Sequence, residues 1–265
     1  MMGEAGRMTE EQGASFADLS LLERGAAALG VTLESVQLDR FRRYGELLLA
    51  TNERMNLTAI TVPEQVQALH FLDALTLVAP IRDWAARAER PSPLLLDVGS
   101  GAGLPGFALK IALPELRVTL LDATGKRIRF LQETIEALGL EGIGAVLGRA
   151  EEIARDLDWR EQYDLVTARA LARLPTLLEW CLPFARVGGL VLSPKAGDLT
   201  AELAEGERAA AILGGQLRAP LPITLPELPG RTIVPIEKVQ YTPIRYPRGG
   251  GQPSREPLGV DPPDE

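Results

Sequence analysis

The chain is poor in the residues that usually do acid–base and metal chemistry. It has one histidine, His70, and one cysteine, Cys181, among 265 residues. A lone cysteine forms no intrachain disulfide, which suits the cytoplasm. One histidine and one cysteine also exclude a histidine–cysteine zinc site, so no metal is expected. No apolar run reaches the roughly 18 residues that a membrane span needs. The first residues, Met1-Met2-Gly3-Glu4-Ala5-Gly6-Arg7, lack the apolar core of a signal peptide. An excess of positive charge is missing too. The net charge is −8, which on average argues against a nucleic-acid partner.

Positive charge is present locally. Arg40, Arg42 and Arg43 cluster, as do Lys126, Arg127 and Arg129. Arg149, Arg169 and Arg173 follow strand-like runs, and the tail holds Arg245, Arg248 and Arg255. Large RNA assemblies carry a strong field of their own, so a local patch suffices to meet one. Solvated helix faces are the plainer reading, and for Arg40–Arg43 the two stand level.

The rest is ordinary globular composition, 46% apolar and 24% charged. Residues 1–14 are polar and expected to be mobile. Helices are predicted near 15–30, 33–51 and 63–80, with an apolar stripe of Leu33, Val36, Leu38, Phe41, Leu47 and Leu48. From residue 93 the pattern alternates. Strands are predicted at 93–98, 117–121, 143–147, 163–168 and 188–194, with helices near 105–112, 125–138, 149–156 and 174–185. That repetition predicts an α/β fold with a parallel sheet covered on both faces. A further helix near 198–213 precedes 216–224 and 231–240, which could pair as an antiparallel hairpin and bring the sheet to seven strands. The predicted organisation is a helical appendage at 15–90, a ligand-binding core at 91–242 and a Pro/Gly/Arg-rich, irregular tail at 243–265.

The densest signal is Leu94-Leu95-Leu96-Asp97-Val98-Gly99-Ser100-Gly101-Ala102-Gly103-Leu104-Pro105-Gly106, followed by Val118-Thr119-Leu120-Leu121-Asp122. It reads as strand, glycine turn, helix, strand, acid. Glycines let a ligand lie against bare backbone. An acid one βα unit later is placed to grip ribose hydroxyls. An adenosine-bearing cofactor follows, and two fit. Gly101, Gly103 and Gly106 match the dinucleotide fingerprint, with Asp122 about 20 residues on. Gly99, Gly101 and Gly103 match the D-x-G-x-G-x-G register of S-adenosylmethionine methyltransferases. Asp97 favours the second. A pyrophosphate repels a carboxylate at the strand tip, whereas the ammonium and sulfonium of a methionine moiety attract one. Pro105 suits the first turn of a helix, which makes Gly106 helical rather than phosphate-facing.

Further stretches carry a closer resemblance. They are Asn52…Asn56-Leu57-Thr58, His70-Phe71-Leu72-Asp73-Ala74-Leu75, Asp122…Lys126-Arg127…Phe130-Leu131, Gly148-Arg149-Ala150-Glu151, Ala168-Arg169-Ala170 and Tyr246-Pro247-Arg248. With the glycine loop, they make the chain similar to the bacterial small-subunit ribosomal RNA guanine-N7 methyltransferases (glucose-inhibited division protein B), from about residue 20 onward. Lys195-Ala196-Gly197 departs slightly from the Lys-Gly usual there. The resemblance implies a Rossmann-like class I methyltransferase fold. It implies methyl transfer from S-adenosylmethionine to N7 of a guanine (position 527, in the 530 loop) of 16S rRNA. The partner would be that RNA or the small ribosomal subunit, met by a cytoplasmic monomer. Cofactor contacts carry over to Gly99, Leu104, Asp122, Ala150, Glu151 and Arg169, beside Asp97, Gly101 and Gly103 from the loop itself.

Each has its own chemistry. Asp122 would accept from the ribose hydroxyls. Ala150 and Glu151 follow the third strand, where adenine should lie; Glu151 also fits an ordinary first-turn helix acid. Arg169 ends the fourth strand, where its fork could hold a phosphate, a carbonyl or the donor's carboxylate. It is the one residue assigned to catalysis, by positioning. N7 has a free lone pair and no proton, so no general base is needed. Cys181, inside Leu177-Leu178-Glu179-Trp180-Cys181-Leu182, reads as core. His70 reads as structural or substrate-positioning. A nicotinamide-dependent oxidoreductase and a non-catalytic ribosome-assembly factor are the alternatives.

Overall fold

The computed structural model describes residues 16–260, so the stretch expected to be mobile at 1–14 lies outside it. Strands β1 (Leu94–Val98), β2 (Arg117–Asp122), β3 (Ile143–Leu147), β4 (Tyr163–Thr167) and β5 (Ala185–Ala196) pair in parallel, in the order β3-β2-β1-β4-β5. Each of them carries an apolar, Leu/Val/Ile-rich run, and the central ones are buried on both faces. Strand order reverses between β1 and β4. Loops from those two strands therefore leave in opposite directions and open a crevice beyond their carboxyl ends.

The predicted hairpin is present, and its layout is a finding. Strand β8 (Arg231–Lys238) runs antiparallel along β5, and its outer side pairs with both β6 (Gly215–Leu217) and β7 (Leu221–Pro222). The sheet thus has seven positions, the last shared by two short strands. Pro220 and Pro222 have no N–H to donate, so this segment can only serve as an interrupted edge.

Helices α6 (Gly106–Ala112) and α7 (Gly125–Leu138) cover one face; α8 (Ala150–Ile153), α9 (Leu174–Cys181) and α10 (Thr200–Leu213) cover the other. The N-terminal helices α1 (Ser20–Ala28) and α2 (Ser35–Met55) join the first group. Phe41, Tyr44, Phe71 and Phe107 meet there, with ring centroids 5.0 Å apart for Phe41–Phe71 and 5.1 Å for Tyr44–Phe107. The buried face of α2 is Gln37, Phe41, Tyr44, Gly45 and Leu48. Val36, expected in that stripe, is 51% exposed. The helix begins at Ser35, and helical spacing from Phe41 back to Gln37 puts Val36 on the solvent side.

The helix predicted over 63–80 is not one α-helix. It runs as α3 (Pro63–Val66), a π-helical stretch (Gln67–Leu72) and α4 (Asp73–Leu75), and α5 (Val78–Arg87) follows after a break. The wider π turn re-aims side chains, and such stretches often mark functional sites. The tail is irregular apart from α11 (Gln252–Arg255), yet it is tied down. Arg160 donates to the carbonyls of Thr242 and Tyr246, and Arg248 forks onto the fully buried Glu179.

Candidate functional site

The glycine loop lies over the carboxyl ends of β1 and β2. Gly99, Gly101 and Gly103 take φ values of 70°, 57° and 91°, the left-handed region that side chains resist. Their surroundings differ. A side chain at Gly103 would strike Phe107 at 2.1 Å, so its bareness serves helix packing rather than a ligand. At Gly101 the nearest atom would be 3.9 Å away, leaving open space. At Gly99 a side chain would meet Leu171 at 2.6 Å. Leu104, a predicted cofactor contact, is 5% exposed and packs into the core, so only its backbone is left for a ligand. The loop is fastened from outside: the Tyr44 hydroxyl of α2 donates to the Ala102 carbonyl at 2.7 Å.

Asp97 ends the apolar part of β1 fully buried. Its Oδ2 accepts from the Gly106 N–H at 3.0 Å, at the start of α6, while Oδ1 has no partner. Burial raises its pKa to about 7. Gly106 is the first residue of α6, as its place after Pro105 implies, and a side chain there would press on Asp97 Oδ2 and Leu120. Asp122 sits at the tip of β2, 3% exposed. Its carboxylate accepts from the N–H groups of Gly101 (3.0 Å) and Thr124 (2.8 Å), with Arg127 at 3.4 Å. Oδ1, with Thr124 alone on it, keeps a lone pair for a further donor.

Gly148, at the end of β3, donates to the Asp122 carbonyl at 3.0 Å, which brings the next loop against the acid. Ala150 and Glu151 open α8, with Glu151 9% exposed and 3.9 Å from Arg149. A cavity of about 160 Å³ joins these parts: Gly99, Asp122, Gly148, Ala150 and Glu151 line it together with Leu171 and Trp180. The structure therefore brings Gly99, Asp122, Ala150 and Glu151 to one cleft and Gly101 to its edge. It sets Asp97, Gly103 and Leu104 behind it.

Arg169 is placed differently from the sequence expectation. Its guanidinium is turned into the protein, donating to the Leu69 carbonyl at 3.0 Å and to Asp73 Oδ2 at 2.9 Å, with only 14% of the side chain exposed. The predicted open fork for a phosphate or carboxylate is thus largely engaged, because a buried carboxylate claims it first. Asp73 is fully buried and also lies 2.6 Å from Arg231 Nε, a charge contact that lacks hydrogen-bond alignment. The π-helical turn brings Leu69, His70 and Asp73 to this spot.

His70 Nδ1 lies 3.3 Å from an Arg169 nitrogen, and Nε2 lies 2.8 Å from Thr58 Oγ1. Nδ1 also lies 3.2 Å from the Leu69 carbonyl, so it meets a donor and an acceptor together. Burial, then the Arg169 charge, lowers the His70 pKa to about 4, which holds the ring neutral. The Asn52…Thr58 stretch supplies the other half: Asn52 Oδ1 accepts from the Thr58 N–H at 2.8 Å and fixes the turn.

Cys181 is fully buried, and burial pushes its thiol pKa far up. It belongs to the core and offers no thiolate. Among the described residues, no cluster of His, Cys, Asp and Glu could hold a metal ion. No described helix is long and apolar enough to cross a membrane. The arginine cluster of α2 is partly neutralised, since Arg42 pairs with Asp39 and Glu46 and Arg43 donates to the Ala137 carbonyl. Sequence reasoning missed Tyr44, Arg231, Leu171 and Trp180. Only the glycine loop's need for an outside support could have pointed to the first, and nothing local pointed to the others.

Comparison with known proteins agrees with this arrangement. The family model for rRNA small subunit methyltransferase G (GidB) matches residues 37–221. A ribosomal RNA small subunit methyltransferase G of Lachnoclostridium phytofermentans is 46% identical over 242 residues, covering 91% of this chain and 98% of that protein. Its counterpart in Geobacillus thermodenitrificans is 47% identical over 231 residues, covering 86% and 94%. That in Roseiflexus sp. is 45% identical over 240 residues, covering 91% of this chain and all of its own. With such identity over most of its length, this chain belongs to the rRNA small subunit methyltransferase G family.

Proposed function

We propose that the protein transfers a methyl group from S-adenosylmethionine to N7 of a guanine in the 530 loop of 16S rRNA. The observation that carries the reading is the cleft at the strand-order reversal. There Asp122 stands ready for ribose hydroxyls beside the open backbone of Gly101 and the Ala150–Glu151 turn. Asp97 fits the same ligand. Its buried, unpartnered Oδ1 is an acceptor in want of a cationic donor, which the ammonium of a methionine moiety provides and a pyrophosphate does not. Gly99, Gly101, Asp122, Ala150 and Glu151 would hold the adenosine half.

When bound, S-adenosylmethionine supplies an electrophilic methyl on a sulfonium. The protein's task is then to orient a neutral nucleophile in line with it. Guanine N7 attacks with its own lone pair; the new N–C bond forms as the S–C bond breaks, and positive charge passes to the base. No proton moves, in keeping with a wall that offers a neutral, hydrogen-bonded His70 and no free base. Arg169, held by Asp73, acts by positioning, through the 14% of its side chain that stays exposed. In this reading residues 15–90 form the substrate-side wall, 91–242 the methyltransferase core and 243–265 a tail that braces α9. The enzyme works as a cytoplasmic monomer on 16S rRNA or the small subunit.

The test is chemical mapping of 16S rRNA from cells with and without the gene. Mild reduction and aniline treatment cleave the chain at N7-methylguanine. Cleavage in the 530 loop should appear only with the protein, and purified protein with S-adenosylmethionine should restore it to unmethylated subunits or RNA. Identical cleavage in both strains would overturn the reading.

A further inference from the structure

The cleft is too small for the ligand proposed for it. Small-molecule sites usually enclose about 300–1,000 Å³, and this cavity encloses about 160 Å³. One side chain narrows it. Leu171 lies over Gly99, its Cδ1 only 2.6 Å from where a Gly99 side chain would begin. The bare backbone at Gly99 is thus covered by leucine rather than left open. Behind it, the Trp180 indole lines the same cavity with its Nε1 buried and unpartnered.

Leu171 stands between two fixed points. Arg169 is fastened to Asp73 and to the Leu69 carbonyl, and the Ala172 carbonyl accepts from Lys195 Nζ at 2.9 Å. The residue between, Ala170, is exposed and sits at φ 51°, a backbone region that a Cβ disfavours. The segment is irregular, without helix or strand bonds to hold it. Its neighbours are therefore anchored while the link that aims Leu171 is strained and free to turn.

We infer that Leu171 is the gate of the cofactor cleft: it lies on Gly99 in this structure and must swing away for the adenosine-bearing ligand to enter. The inference rests on the methyl-transfer reading above. Outward rotation enlarges the cavity, uncovers Gly99 and brings the Trp180 N–H within reach of an acceptor on the ligand. Because Leu171 follows Arg169 by two residues, the gate also joins cofactor entry to the wall where the base is positioned.

The experiment measures association and dissociation rates of S-adenosylhomocysteine on the full-length protein by surface plasmon resonance, with circular dichroism to check folding. Leu171 is only half-buried, so its variants should fold. Leu171→Ala removes the gate and should raise the association rate at least threefold without loss of affinity. Leu171→Phe enlarges it and should lower that rate tenfold or more. Wild-type rates in both variants overturn the gate. So does weaker binding by Leu171→Ala through faster dissociation, which would make Leu171 a wall of the bound state. If the wild-type protein binds neither S-adenosylhomocysteine nor S-adenosylmethionine, the methyl-transfer reading itself falls and the gate with it.

Discussion

The two rims of the crevice draw on the chain in different ways. On the rim proposed for the cofactor, Gly99, Asp122, Ala150 and Glu151, with Gly101 bonded beside Asp122, come from the ends of successive strands β1, β2 and β3. Each is followed directly by its own loop or helix, and most of its hydrogen bonds go to backbone close by. On the rim proposed for the substrate, Thr58, His70, Asp73, Arg169 and Arg231 come from a loop, a π-helical stretch, the short helix α4, the segment after β4 and the antiparallel strand β8. These bonds run between side chains separated by up to a hundred residues or more. The first rim is backbone geometry repeated by a fold. The second is a buried charge network that ties the N-terminal helices to the sheet through Arg169 and Arg231. Mutation should therefore act on binding at the first rim and on stability at the second.

The largest expected effect is at Asp73. Asp73→Asn leaves Arg169 and Arg231 facing each other with no carboxylate between them. Breaking a buried pair of this kind costs about 3–5 kcal/mol, with the lower end expected because both arginines keep some solvent contact. Urea denaturation should show the unfolding free energy falling by that amount. A loss under about 1 kcal/mol would mean that the network behaves like a surface pair, and the contrast between rims would collapse.

Acidity sharpens the contrast, because one group on each side titrates in opposite senses. His70 has its pKa lowered from 6.5 to about 4 in the folded protein. The unfolded chain takes up that proton first, so this contribution to stability is lost as pH falls from about 6.5 to 4. Asp97 has its pKa raised from 3.8 to about 7. The folded protein keeps a proton that the unfolded chain gives up, so stability falls as pH rises across that window. Each contribution is on the order of 3 kcal/mol and they oppose. Relative to wild type, His70→Gln should become more stable toward pH 4, and Asp97→Asn less stable. Parallel stability–pH curves for the three proteins would refute the assignment.

Asp122 gives the next largest effect, and it should appear in affinity. Asp122→Ala removes an acceptor for charged hydrogen bonds worth roughly 1.5–3 kcal/mol, one to two decades in cofactor affinity by calorimetry. The fold should persist, since the residue ends its strand. Equal affinity in a folded variant would take Asp122 out of the site.

The smallest expected effect lies on neither rim. Arg42 makes only exposed pairs with Asp39 and Glu46, so Arg42→Ala should change stability by about 0.5 kcal/mol or less. If it instead cuts N7-methylation of 16S rRNA severalfold at unchanged stability, α2 belongs to the RNA-docking surface.

The cofactor rim was legible because its signals are local. A glycine register after an apolar run and an acid at the next strand tip carry their meaning within a few residues, since backbone conformation is set by neighbours. The same holds for the alternation that predicts β1 to β5: the ends match within one residue for β1 to β4, while β5 extends three residues earlier and two later than predicted. The substrate rim was legible only as residue names. His70 and Asp73 stood in a family block and Arg169 in another, but their pairing needed the π-helical turn, which has no periodic signature of its own.

By itself, then, the sequence determined the alternating architecture, the place of the glycine loop and the acid that serves it, through periodicity and glycine chemistry that act over one or two turns. Tertiary structure alone decided that Gly101 opens on free space while Gly103 lies against Phe107 and Gly99 against Leu171, because bareness has the same spelling in every case. It also decided that Arg169 is held by Asp73, that Arg231 shares the same carboxylate and that Tyr44 props the loop from α2. Those contacts join segments distant in the chain, and what selects them is the burial of charge and polar groups, which exists only once the chain has folded.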